Sequence, residues 1–380
     1  MLKYIILITL VINFINCGAQ MDKTNNDPIK QITHFLDSQT EILKIPAIQY
    51  VVVDSSKTIL SYASGYADIE NHSAIQTNST MMAYSMTKTF TAVAILQLVE
   101  SGQLNLDDPV KKHLPDIPYG DKILIKHLIT HTSGIPNPIP LKWAHKVEDN
   151  LNFNESDELT MILKKYNKVK FEPGERYFYS NIGYWLLGKI IEEVTHVSFT
   201  EYISKEIVYK LFNDYDNLTT TIKNPELHAK GYLAKNSFLD LIKGFMLDNE
   251  LIGEYEDKWL HINNHYLNGP AFGGLIGSAQ DFAIFLQDQL KSHSALINEE
   301  IKSLLYTQQK NHKNEPIEMS LGWHVGNLDG VQYFYKEGGG GGYHCEMRLY
   351  PSIGIGTIIM VNRTNFSSKK YLNDLDKAFF

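Results

Sequence analysis

The sequence predicts a mixed α/β fold of the α+β kind, with an antiparallel sheet built from N- and C-terminal segments, flanked by helices, and an all-helical subdomain inserted between them. Three observations predict it. Strand patterns gather at both ends of the chain, helical patterns and long loops fill residues 123–310, and the run Thr87 to Glu100 is apolar on nearly every side. The composition suits such a fold: 380 residues, 43% hydrophobic and 21% charged, which excludes disorder, collagen and coiled coil. A net charge of −8, from 35 Lys+Arg against 43 Asp+Glu, gives no electrostatic reason to expect nucleic acid or an anionic membrane surface as partner.

The elements justify themselves in order. Lys3 precedes the apolar run Ile5 to Ile15, and Cys17-Gly-Ala19 follows with small residues, the pattern of a secretory signal over residues 1–19. That run is well short of the ~20 residues a membrane-spanning helix needs. Two readings compete: cleavage after Ala19, or lipidation of Cys17 after Phe14-Ile-Asn16, the only route by which the chain would touch a membrane. Both imply export to the periplasm or cell envelope. Cys345 is then the one remaining thiol, so no intrachain disulfide supports the fold. A polar linker at 20–29 leads into a single domain, 30–380, with the helical subdomain over roughly 85–310.

Pro28 to Leu43 is helix-like, and Ile48 to Asp54 with Thr58 to Ser64 reads as a hairpin across Ser55-Ser56. Thr87 to Glu100, closed by Gly102, is the buried central helix. Asn181 to Thr195 and Ala279 to Lys291 are further helices. Strand patterns return at Ser320 to Val325, Val331 to Lys336, Tyr343 to Tyr350 and Ile353 to Val361, before a terminal helix Lys369 to Phe379.

Three short motifs carry the chemistry. Ser85-Met-Thr-Lys88 sits at the start of the buried helix, so i,i+3 spacing puts the Lys88 amine on the face of the Ser85 hydroxyl. An amine held in apolar surroundings loses its charge readily and can accept a hydroxyl proton. As a bland alternative, Ser85 is only an N-cap, and Ser367-Ser-Lys-Lys370 matches the same short pattern. Tyr179-Ser-Asn181 offers a phenol for proton transfer and an amide for substrate; unlike the similar Tyr215, Tyr266 and Tyr371 triplets, it follows a Pro173-Gly174 turn and precedes an apolar helix. Lys336-Glu-Gly338 ends a strand before Gly339 to Gly342, where a cation can meet a substrate carboxylate. A main-chain N–H there can pair with that of Ser85 as an oxyanion hole. A flexible turn with a solvated lysine is the plain alternative, and a phosphate cradle is disfavoured because a strand follows the glycines. His127 and His131 have zinc-ligand spacing, but Leu128 stands where a metalloprotease carries its glutamate and no third ligand is marked; they read as bracing the Thr132-Ser-Gly134 loop.

The order of these motifs is more specific than any one of them: Tyr179 follows Ser85 by 94 positions and Lys336 follows Tyr179 by 157. With Ala83 to Phe90, Ile123 to Gly134, Phe171 to Tyr184, Gly273 to Ser278 and Lys336 to Pro351, the chain resembles the serine β-lactamase-related family over most of residues 30–365, on the side of class C β-lactamases, D-alanyl-D-alanine carboxypeptidases and related esterases. The resemblance implies a β-lactamase/transpeptidase-like fold and an acyl-enzyme on Ser85, with Lys88 and Tyr179 handling protons. It further implies that Asn181, Lys336, Glu337 and Gly338 contact substrate, that the N–H groups of Ser85 and Gly339 form the oxyanion hole, and that neither metal nor organic cofactor is required. The implied partner is a small-molecule or peptide acyl substrate.

One departure matters. Glu337 stands where the family usually carries a small hydroxyl residue that helps hold a substrate carboxylate; a carboxylate there repels one, or pairs with Lys336. Esters, neutral amides or differently presented peptides are favoured over β-lactams. Besides a hydrolase, the sequence is compatible with a ligand-binding protein that acylates without turnover and with a structural envelope lipoprotein. The stretch Asn236 to Asn268 is expected to form a lid or a wall of the site.

Overall fold

A computed structural model describes residues 27–41, 44–138 and 143–380; the leader and most of the 20–29 linker lie outside the described residues. The first helix, α1 (Pro28–Glu41), precedes the strands β1 (Ala47–Val53) and β2 (Thr58–Asp68) and a two-residue strand β3 (Ser73–Ala74). The central helix α2 (Thr87–Glu100) and the helix α3 (Asn181–Thr195) have the bounds that their apolar runs predict. After the insertion come α4 (Ala279–Leu290), four strands β4 (His324–Leu328), β5 (Val331–Gly339), β6 (His344–Tyr350) and β7 (Ile355–Val361), and the helix α5 (Ser368–Asp376).

The seven strands form one sheet in the order β4-β5-β6-β7-β1-β2-β3, so the two ends of the chain meet at its centre. There β1 pairs antiparallel with β7 in the register Ile48↔Val361 and Tyr50↔Ile359. Strand β1 is buried throughout, because both sheet faces are covered. On one face α1 and α5 bring Ile32, Leu36, Leu372 and Leu375 onto Tyr50, Val52 and Ile359. On the other, α2 is buried from Thr87 to Leu96, and Phe90 stacks on Phe285 of α4 with ring centroids 4.1 Å apart. A helix apolar all round has no solvent face to offer, which is why α2 occupies the core.

Several boundaries depart from expectation, β5 running on to Gly339 and α5 ending at Asp376, and three of the departures have clear local reasons. The strand expected from Ser320 begins at His324, because Gly322 has φ +90 and a turn closes from Ser320 N–H to the Trp323 carbonyl. The strand expected from Ile353 begins at Ile355, after Gly354 at φ +68. Ser85 does not open α2 itself but lies in a 3-10 turn, Tyr84–Met86, immediately before it. The insertion is helical as expected, but its stretch 231–262 also holds a three-stranded sheet of Gly231–Ala234, Trp259–Ile262 and Ile252–Glu256, and Ala144–Lys146 pairs with His265–Leu267. These strands are three to five residues long, separated by Asn, Asp, Lys and Gly, so their periodicity is too brief to read. No helix among the described residues is long and apolar enough to cross a membrane.

Candidate active site

Ser85 is aimed by an unusual backbone. Tyr84 has φ 44, a left-handed conformation that a bulky side chain adopts only under constraint. Its phenol supplies that constraint, donating to the Gly341 carbonyl at 2.6 Å with His265 Nε2 3.2 Å away. The glycine run then fits around the turn. A Cβ on Gly338 would lie 2.2 Å from the Ala83 carbonyl oxygen and 3.0 Å from Ser85 N, and one on Gly340 would strike the Tyr84 ring at 2.4 Å. Glycine is required there because the end of β5 lies flush against the nucleophile's backbone.

Lys88 follows one helical turn later and is fully buried. Its Nζ stands 3.0 Å from Ser85 Oγ, 2.8 Å from Asn181 Oδ1 and 2.5 Å from the Phe272 carbonyl. Burial, reinforced by the positive charge of Lys336, holds its pKa well below the usual lysine value. A neutral amine has two N–H donors and one lone pair. In that neutral form, Asn181 Oδ1 and the Phe272 carbonyl take the two donors, which leaves the lone pair for the Ser85 hydroxyl.

Tyr179 completes the contact, with its hydroxyl 2.6 Å from Ser85 Oγ. Burial raises its pKa above that of an ordinary phenol, so it stays protonated with a proton available at Ser85 Oγ. The loop carrying it is clamped by residue 131. The His131 carbonyl accepts from Phe178 N–H at 2.7 Å, its Nδ1 from Ser180 N–H at 3.2 Å, and its ring lies 4.3 Å from the Tyr179 ring. His127 Nδ1 likewise accepts from a backbone N–H, that of Leu124, at 3.1 Å. Both histidines therefore serve the loops, as their bracing role requires.

The structure brings Ser85, Lys88, Tyr179 and Asn181 together, and it corrects the third motif. Lys336 is fully buried, neither a solvated turn lysine nor open to the cavity, with Nζ 5.2 Å from the Tyr179 ring centroid and no hydrogen-bond partner among the described residues. Burial pushes its pKa down to about 7. Glu337 does not pair with it, because neighbouring residues of a strand point to opposite faces. Its carboxylate instead accepts from His344 Nε2 at 2.8 Å, which holds its pKa below the usual carboxylate range. Asn181, expected as a substrate contact, has its side-chain oxygen committed to Lys88. His344 and the Phe272 carbonyl escaped sequence reasoning; the only available signal was that each falls in or beside a segment carrying the family resemblance.

Ser85, Tyr179, Glu337 and Gly339 open onto a cavity of about 620 Å³. Part of its wall comes from 233–251, so the stretch expected as lid or wall does line the site. The one carboxylate cluster with metal-ligand geometry among the described residues, Asp68, Glu70 and Glu256, already surrounds Lys230 Nζ at 3.0, 3.2 and 2.8 Å.

The chain is similar to Protein flp of Staphylococcus aureus strain N315, 31% identical over 220 residues, which cover 57% of this chain and 43% of that protein. It is 27% identical to Penicillin-binding protein 4* of Bacillus subtilis strain 168 over 304 residues, covering 79% of this chain and 64% of the other. The chain thus spans less than two thirds of either relative. Among solved structures, the octameric penicillin-binding protein homologue from Pyrococcus abyssi superposes with TM-score 0.73 at 25% identity, covering 92% of this chain and 76% of the other. D-amino acid amidase from Ochrobactrum anthropi SV3 has the same fold, with TM-score 0.78 at 19% identity over 93% and 98% of the two chains. The sequence matches the beta-lactamase family over residues 32–378, and the chain belongs to that family, with a serine-hydrolase fold capable of acyl-enzyme chemistry.

Proposed function

We propose that this chain is an exported serine hydrolase that cleaves an ester or amide through an acyl-enzyme on Ser85. The observation that carries the reading is the placement of Ser85 Oγ between Lys88 Nζ at 3.0 Å and the Tyr179 hydroxyl at 2.6 Å. Ser85 Oγ attacks the substrate carbonyl carbon while its proton passes to the neutral Lys88 amine, a transfer worth about 10²–10⁴-fold. The oxyanion so formed accepts from the N–H groups of Ser85 and Gly339; such a donor is worth about 10²–10³-fold. On collapse the carbonyl re-forms and the leaving oxygen or nitrogen takes the Tyr179 proton, which the Lys88 ammonium replaces. Water then attacks the acyl carbon, gives its proton to the same pair, and returns Ser85 to its hydroxyl form.

Export rests on the Met1 to Ala19 pattern and belongs to the same proposal, whether Cys17 is lipidated or removed. Glu337 weighs against substrates with a carboxylate beside the scissile bond, since its own carboxylate is anionic at neutral pH and stands at the cavity. The test is an intact-mass time course of wild-type and Ser85→Ala protein with a penicillin, a short activated ester and a D-alanyl dipeptide. A Ser85-dependent mass gain that decays as product accumulates is expected with the ester. A gain that persists would make the protein an acylated binder instead, and turnover undiminished in Ser85→Ala would refute the reading.

A further inference from the structure

The cavity differs in character from the reaction centre that opens onto it. Leu233, Leu239, Met246, Leu247 and Leu251, all from the insertion, form a side of it that carries no catalytic group. Lys243 is the cation this wall brings to the cavity, and its Nζ is held by Asp240 Oδ1 at 2.9 Å and the Tyr255 hydroxyl at 3.0 Å. Leu239 and Leu247 rest on a small core of Leu233, Leu260 and Ile262, so the wall is a folded unit and its apolar face is presented by design of the packing. The two short helices that carry this wall, Phe238–Leu241 and Lys243–Met246, also leave Phe238, Leu241 and Phe245 72, 77 and 80% exposed.

We infer that the substrate is a carboxylic ester or amide bearing a long apolar chain, seated against the 233–251 wall while its carbonyl lies at Ser85. This rests on the hydrolase reading and deepens it. A cavity of about 620 Å³ is large enough to bury most of a drug-sized ligand. Each methylene fully removed from water there favours binding by roughly fourfold. Glu337 adds the complementary exclusion: the end of the substrate near β5 carries no anion.

The test compares kcat/KM for eight-carbon against two-carbon groups, varied in turn on the acyl and the alcohol side of an ester, in wild type and in Leu239→Ser and Leu247→Ser. The eight-carbon ester is expected to exceed the two-carbon one by at least about tenfold in one of the two series. Both serine variants are expected to lower that ratio at least about threefold. A ratio at or below one in both series, or ratios unmoved in both folded variants, overturns the inference. Calorimetry on Ser85→Ala separates it from the hydrolase reading: octanamide is expected to bind at least about tenfold more tightly than butanamide. Equal affinities overturn the apolar subsite whatever the catalysis. Tight octanamide binding with no turnover of any ester or amide refutes the hydrolase reading and leaves the subsite standing.

Discussion

Two sets of fully buried ionisable groups lie on opposite faces of one sheet, and they are built on opposite principles. Behind the sheet, Arg348 Nε donates to Glu346 Oε1 at 2.6 Å, and Asp376 accepts from Tyr350 at 2.7 Å and from Tyr50 and Thr357 at 3.1 Å. Every charge there meets an opposite charge. In front of it, Lys88 and Lys336 are buried with no carboxylate in contact, and Lys336 Nζ has no partner among the described residues. A satisfied ion cluster holds a fold together, whereas amines left unpaired under apolar cover are held away from their preferred charge state. The second arrangement is the one that can move protons.

Substitution at each centre separates the two roles most sharply. Lys88→Met is expected to lower kcat/KM by at least about 10³-fold while leaving stability unchanged or raised. Arg348→Met does the reverse, costing about 3–5 kcal/mol in denaturant unfolding because Glu346 and Asp376 stay buried without it, with kcat per folded molecule near wild type. Lys88 also makes a sign prediction. Its folded pKa lies below its unfolded value, so the unfolded chain binds the extra proton and stability rises with pH between the two, a slope that Lys88→Met removes. If both variants lose activity and stability in parallel, the contrast collapses.

Gly338→Ala probes how the sheet meets the nucleophile. Its Cβ would press on the Ala83 carbonyl, a backbone atom that cannot swing aside. Strain of about 1–3 kcal/mol is expected together with a fall in kcat, since β5 must retreat from Ser85. A crystal structure of the variant with β5 unmoved and full activity would remove the oxyanion role of this edge. The smallest effect is electrostatic. Lys336 lowers the pKa of Lys88, so Lys336→Met should move the acid limb of the kcat/KM profile to higher pH. Because Lys336 itself titrates at about 7, the shift is confined to pH values below that. An acid limb that stays in place would show that the two amines are not coupled.

Much of this was legible in the sequence where one physical signal dominated. The bounds of α2 and α3 follow from their apolar runs and from caps, Ser180 accepting from Gly183 N–H and His196 ending α3 at φ 59. The order of Ser85, Lys88, Tyr179 and Lys336 gave the family. What stayed hidden depends on contacts between segments far apart in the chain. Glu337 is adjacent to Lys336 in sequence, yet the pleat turns it toward His344, two positions along β6 from its register partner Glu346. The Phe272 carbonyl reaches Lys88 across 184 positions, and no side-chain pattern marks a carbonyl. The twist at Tyr84 follows from its hydrogen bond to Gly341 rather than from any local preference, since tyrosine alone avoids that conformation.

The central claim is that an unpaired, neutral Lys88 takes the Ser85 proton. The most direct measurement is the pH dependence of the single-turnover acylation rate, followed by the appearance of the Ser85 adduct in wild type and in Lys88→Met. The account predicts a wild-type acid limb set by a group titrating well below the ordinary lysine value, and a far slower rate without that limb in the variant. A variant that acylates at the wild-type rate with the same limb would contradict it.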